Sequence, residues 1–214
     1  MLKNRAKFIV FEGLDGSGKT EMINRLKVDF PECIYTREPG GSPFGEAIRQ
    51  VLLSDVAKEV PPKAMLLGFM SARSSHIDEL VIPALEKHTT VVSDRCDGSS
   101  FAFQLYGQNN LDLTDFFWDL RKRIFGEVTV HYIYLRITPE VADARRKNRN
   151  ESNHFDLQHK EYHERVFEGY ETFFDILSAE HNTNTYIHKI DATPDKETVY
   201  TSVYSCIKTL QADN

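Results

Sequence analysis

Short apolar runs alternate with longer amphipathic stretches along the chain, the pattern of repeated strand–helix units wound around a parallel sheet. Five runs read as strands: residues 7–12, 33–36, 90–93, 129–136 and 185–190. The fourth carries Tyr132, Ile133, Tyr134 and Leu135 without polar alternation, as expected of a strand covered on both faces. Ser42-Pro43 offers an N-cap with proline at the first helical position, and Thr138-Pro139-Glu140 repeats that arrangement. Over residues 63–86, Met65, Leu66, Phe69, Met70, Ile77, Val81 and Leu85 recur at helical spacing, which predicts one long helix kinked near Pro83. No repeat or Gly/Ser linker interrupts this order, so residues 1–214 read as a single domain, with the polar stretch 147–155 as its most mobile part.

Composition narrows the function classes. Lys and Arg number 26 against 32 Asp and Glu, a net charge of −6, and the two signs are interspersed. A polynucleotide-binding surface needs a clustered cationic excess, so nucleic acid is not expected as a partner. The basic cluster from Arg145 to Arg149 suits one small anion. Cys33, Cys96 and Cys206 are widely spaced, without C-x-x-C or zinc-finger spacing, which fits a reducing cytoplasmic setting. No apolar run is long enough to cross a bilayer. His159 and His163 stand one helical turn apart, but no third ligand accompanies them, so HKEYHERVFEGY reads as a solvated helix face.

The sharpest chemical signal is Gly13-Leu14-Asp15-Gly16-Ser17-Gly18-Lys19-Thr20, which satisfies G-x-x-x-x-G-K-[ST] between the strand KFIVFE and the helix KTEMINRLKVDF. In that context backbone N–H groups of the turn converge on phosphate oxygens, Lys19 neutralises the β- and γ-phosphates of a nucleoside triphosphate, and Thr20 ligates Mg²⁺. The expected donor-nucleotide contacts are therefore Gly13, Asp15, Gly16, Ser17, Gly18, Lys19 and Thr20. Further on, Thr36-Arg37-Glu38-Pro39-Gly40-Gly41 and Asp94-Arg95 end the second and third strands, where the ligand crevice of such a sheet opens. Two arginines and two carboxylates there suffice to hold a second anion.

Taken together, FEGLDGSGKT, TREPGGSPFGEAIRQVLL, the helix with GFMSAR and VIPAL, SDRCDGSSFAFQ and the arginine-rich segment after Thr138-Pro139-Glu140 resemble the thymidylate kinase family, in order and spacing, over residues 7–175. The resemblance is to its bacterial type, in which the P-loop lacks an interior arginine and the lid supplies the catalytic ones. It implies an α/β, three-layer P-loop NTPase fold with a five-stranded parallel sheet flanked by helices and a short mobile lid at about 145–156. The implied activity is transfer of the ATP γ-phosphoryl group to dTMP with Mg²⁺, by a homodimer. Residue by residue, Lys19, Arg95, Arg145, Arg149 and Asp15 would be catalytic. Asp15, Arg37, Glu38, Phe69, Arg73, Arg95, Ser99, Ser100, Phe103 and Gln104 would hold the acceptor, with Phe69 stacked on the base and Arg37 and Arg95 on the phosphate. Thr20 and Asp94 would hold the metal. Arg146 and Lys147 would point elsewhere.

The chain departs from the family pattern at Cys96, where Tyr or His is frequent, at Asn153-His154 in the lid, and at Arg136, where an acid is frequent. Acceptance of dUMP or a 5-substituted dUMP stays open. A phosphate attacks already ionised, its second pKa being about 6, and needs no strong base. A deoxynucleoside kinase, the closest alternative, would need a carboxylate such as Glu38 or Asp94 to deprotonate a hydroxyl. A GTPase-type switch would need N-K-x-D, which is absent.

Overall fold

The computed structural model describes residues 6–146, 160–179 and 184–212. Five parallel strands, β1 (Phe8–Glu12), β2 (Ile34–Arg37), β3 (Val91–Asp94), β4 (Val130–Arg136) and β5 (Thr185–Asp191), are ordered β2-β3-β1-β4-β5. Each lies within one or two residues of its sequence expectation. The helices are α1 (Lys19–Asp29), α2 (Pro43–Leu52), α3 (Pro62–His76), α4 (Ile82–Glu86), α5 (Asp97–Ser100), α6 (Thr114–Phe125), α7 (Pro139–Arg146), α8 (Lys160–Ala179) and α9 (Lys196–Ala212). The architecture is thus the α/β parallel sheet flanked by helices that the sequence implied.

Burial explains the order. β1 is wholly buried, and β4 is buried through Leu135, so both occupy the middle of the sheet. Beside β4, Phe101, Phe117, Trp118 and Phe173 pack ring against ring, with Trp118 stacked on Phe173 at 5.6 Å. Under them, Asp97 accepts from Arg121 Nε (2.6 Å) and Tyr132 OH (2.7 Å), tying the start of α5 to α6 and β4. At α2 the expected cap is present: Ser42 Oγ accepts from Gly45 N at 3.0 Å, ahead of Pro43.

The long helix expected over 63–86 is present as α3, a π turn over Ile77–Val81 and α4, with Ile82 N–H donating to Ile77 C=O five residues back. The wider turn lies immediately before Pro83, where the ring leaves a backbone hydrogen bond unmade. A second π stretch, Phe101–Gly107, extends α5. The helix face around α8 also differs from expectation: Tyr162, His163, Val166 and Tyr170 are buried against the body of the molecule. His159, residues 147–156 of the expected lid, and with them Arg149 and Asn153-His154, lie outside the described residues.

Candidate active site

The turn between β1 and α1 winds into a cradle whose geometry excludes side chains at its entry. Gly13 has φ +144°, and a Cβ there would stand 2.5 Å from Leu135 O. Lys19 bends back into this turn, donating to Gly13 O (2.8 Å) and Leu14 O (3.0 Å). Burial, reinforced by the charge of Arg95, lowers the Lys19 ammonium to about 8, against the pull of Asp15 and Asp94. An incoming phosphate would offer this buried cation the counter-charge it lacks. Thr20 Oγ1 donates to Asp94 Oδ2 at 3.1 Å, so the two expected metal ligands are neighbours at the end of β3. Among the described residues no cluster of three or more His, Cys, Asp or Glu could hold a metal alone. One hydroxyl and one carboxylate fit an ion such as Mg²⁺, which takes its remaining ligands from phosphates and water.

Beside the cradle a cleft opens between the strand ends and α3. Arg95, just past β3, has φ +70°, a left-handed conformation that non-glycine residues rarely adopt. Its Nη2 donates to Asp15 at 2.5 Å and its Nη1 to Gly13 O, Ser99 Oγ and Tyr170 OH at 2.9–3.1 Å. Burial works to raise the Asp15 carboxyl, but Arg95, Lys19 and Arg146 outweigh it and hold it ionised below its ordinary value. On the cleft floor Arg73 is 2 % exposed; its Nε donates to Glu38 Oε2 (2.7 Å) and its Nη2 to Ser100 Oγ (2.8 Å). Glu38 Oε1 also accepts from His76 Nδ1 (2.8 Å) and Cys96 Sγ (3.2 Å). Although burial opposes it, Arg73 and His76 keep the Glu38 carboxyl lowered. Phe69 and Phe103 line the same cleft, together with Gln104 and Cys96. Phe103 and Gln104 belong to the π stretch that extends α5.

Several residues stand elsewhere than the sequence led one to expect. Arg37 is exposed and paired with Glu46 at 3.0 Å, outside the cleft lining, whereas Arg49 of α2 lines it, anchored to Pro39 O at 2.7 Å. The signal for Arg49 lay inside the motif TREPGGSPFGEAIRQVLL: Glu46 and Arg49, one turn apart, share a helix face, from which Glu46 pairs with Arg37 and Arg49 reaches Pro39 O. Ser100 is buried behind Arg73 and does not line the cleft; Ser99 does. Arg145 donates to the backbone oxygens of Ala192 (2.9 Å) and Thr193 (3.0 Å) and reaches Gly16 O at 3.4 Å, at the outer edge of the cradle. Arg146 does not point away: nearly buried, it pairs with Asp143, approaches His163 Nδ1 at 3.4 Å, and acts electrostatically on Asp15. Arg136, unexplained in the sequence, binds Glu171 at 3.1 Å, which also receives Tyr134 OH (2.8 Å) and Lys189 (3.0 Å).

Residues 11–203 match the family model described as thymidylate kinase. The thymidylate kinase of Carboxydothermus hydrogenoformans is 38% identical over 173 residues, spanning 78% of this chain and 83% of that protein. That of Staphylococcus haemolyticus is 35% identical over 209 residues, spanning 94% and 96%.

Proposed function

The chain belongs to the thymidylate kinase family, a family of phosphotransferases, and from that premise we propose that it transfers the γ-phosphoryl group of ATP to dTMP, giving dTDP and ADP. One observation carries the acceptor assignment. Three guanidinium groups, Arg49, Arg73 and Arg95, line the cleft beside the cradle against two carboxylates: Glu38, engaged by Arg73, His76 and Cys96, and Asp15, paired with Arg95. That cationic excess suits an anionic nucleophile that arrives ionised, and both carboxylates are already held by guanidinium groups.

In this reading Lys19 and the backbone N–H groups of the turn bind the donor phosphates, and Arg145 and Arg149 serve the ATP side and the transferring group. Arg95 and Arg49 hold the acceptor phosphate in line with the γ-phosphorus, and Asp15 orients the acceptor sugar. Phe69 covers the base, while Arg73, fixed by Glu38 and Ser100, faces a base carbonyl, with Phe103, Ser99 and Gln104 completing the pocket. Thr20 and Asp94 would hold Mg²⁺, which when bound neutralises charge on the phosphate oxygens. Transfer between two phosphates leaves the protein little covalent work, so alignment and charge neutralisation carry the rate. The proposal extends to dUMP and 5-substituted dUMP, which present the same carbonyl edge. It places the enzyme in the cytoplasm, in keeping with its free cysteines; among the described residues no helix is long and apolar enough to cross a membrane. It makes the protein a homodimer, for which the exposed Phe44 and Val51 of α2 and Leu67 of α3 supply apolar surface.

Coupled measurement of ADP release with dTMP, dUMP, dCMP, dGMP and thymidine tests the assignment. Turnover is expected with dTMP. Turnover with thymidine alone would establish the nucleoside kinase instead, and none with any monophosphate would overturn the proposal.

A further inference from the structure

Glu12 closes β1 at the end of five consecutive buried residues and is itself 0% exposed. A carboxylate in such a place must be fully hydrogen-bonded. Four donors meet it: Cys96 N (2.8 Å) and Ser99 N (2.9 Å) on Oε1, Ser99 Oγ (2.6 Å) and Tyr170 OH (3.1 Å) on Oε2. The same two hydroxyls accept from Arg95 Nη1, each at 2.9 Å. Glu12 therefore sits two hydrogen bonds from Arg95, behind the hydroxyls of Ser99 and Tyr170.

The backbone of Arg95 is secured by the same carboxylate. Its φ of +70° is a left-handed conformation that persists in a non-glycine residue only where the surroundings impose it. Phe11 O takes the Arg95 N–H at 2.9 Å, and Glu12, the next residue of β1, takes the N–H of Cys96. Consecutive groups of one strand thus fix the peptides on both sides of Arg95. Gly98 lets the turn lie against the carboxylate, since a Cβ there would stand 3.1 Å from Glu12 Oε1.

We infer that Glu12 is a positioning residue: acting through Ser99 and Tyr170, it holds the Arg95 guanidinium and its left-handed backbone in the geometry that receives the acceptor phosphate. This rests on the reading of Arg95 as a phosphate-gripping group. Tyr170 belongs to α8, so the same carboxylate also ties that helix to the end of β1.

The test is steady-state kinetics and thermal unfolding of Glu12→Gln, Tyr170→Phe, Glu12→Gln/Tyr170→Phe and Ser99→Ala/Tyr170→Phe. The Gln carbonyl can still accept the two backbone N–H bonds, while its amide replaces the oxygen that receives the two hydroxyls. The kcat/KM for dTMP should fall roughly 10- to 100-fold from misplacement of one guanidinium, with the ATP KM within about twofold. Tyr170→Phe should lose less, and adding it to Glu12→Gln should cost little more, because both act through one group. Should Glu12→Gln fail to fold, Ser99→Ala/Tyr170→Phe, which cuts both relays and leaves Glu12 in place, must show the acceptor-side loss. A folded Glu12→Gln protein with unchanged dTMP kinetics, or equal losses towards ATP and dTMP, would overturn the inference alone. An unsubstituted protein that turns over no monophosphate would overturn the kinase reading, and this inference with it.

Discussion

Replacing Arg49 and Arg37 separately by alanine asks which guanidinium meets the acceptor phosphate. Arg49 is half-buried at the cleft wall, fixed by Pro39 O at 2.7 Å, and its guanidinium is depressed from its ordinary value by burial and by the charge of Arg37. An anion placed in the cleft would relieve that unfavourable crowding. A hydrogen bond from such a group to a charged partner contributes about 1.5–3 kcal/mol, so Arg49→Ala should raise the dTMP KM roughly 10- to 150-fold. Arg37 is exposed and engaged with Glu46, also largely solvated. A pair of that kind contributes about 0–1 kcal/mol, so Arg37→Ala should change the dTMP KM by no more than roughly fivefold. The assay is initial velocity against dTMP at saturating ATP, with the ATP KM measured alongside and expected to hold within twofold for both variants. A dTMP KM raised more strongly by Arg37→Ala than by Arg49→Ala would refute the reasoning and return the phosphate to the residue the motif suggested.

Three further substitutions or conditions report on other parts of the molecule. Because burial and Arg95 lower Lys19 to about 8, the cation is lost as pH rises through that value; kcat/KM for ATP should decline above about pH 8, and a flat profile to pH 9.5 would contradict the placement. Phe69 packs against Leu52, Ala57 and Met65 in a small cluster apart from the main core, so Phe69→Ala should lower stability by about 3 kcal/mol, the low end for a buried Phe, while raising the dTMP KM and sparing that of ATP. Unchanged dTMP kinetics in a folded variant would leave the ring a packing role only. His131 is lowered to about 4 by burial, Lys7 and His188, and its Nδ1 has no partner among the described residues. Its folded value lies below its unfolded one, so the unfolded chain binds the proton first and stability falls as pH drops from about 6.5 to about 4, by at most about 3 kcal/mol. Urea unfolding at pH 7 and pH 4.5 should show this, and His131→Phe, which preserves stacking on Tyr186, should flatten it; an identical pH dependence in the variant would contradict the assignment.

Much of the site was legible because it is local. A glycine-rich turn between a buried strand and a helix announces itself through spacing, and Lys19, Thr20, Arg73 and Arg95 follow from short motifs. What stayed hidden depends on rotation and long-range contact. Arg145 and Arg146 are neighbours on α7, and only packing against α8 and the 191–195 loop decides that Arg146 turns towards His163 while Arg145 takes backbone oxygens at the rim. Likewise Arg37 and Arg49 belong to one motif, and the pairing with Glu46 selects between them. The π turn ahead of Pro83 could not be read from composition, since such a turn leaves no residue signature of its own. Glu12 did leave one: an acid closing an apolar strand requires donors, although nothing in the sequence names Ser99 and Tyr170 as their source.

Phosphoryl transfer between two nucleotides held in adjoining sites is the central claim, and ³¹P NMR of the protein with ATP, dTMP and Mg²⁺ tests it most directly. The account expects dTMP phosphorus to be replaced by the coupled doublets of dTDP as ATP becomes ADP, with no matching rise in inorganic phosphate. ADP accumulating together with inorganic phosphate, and dTMP left intact, would contradict it.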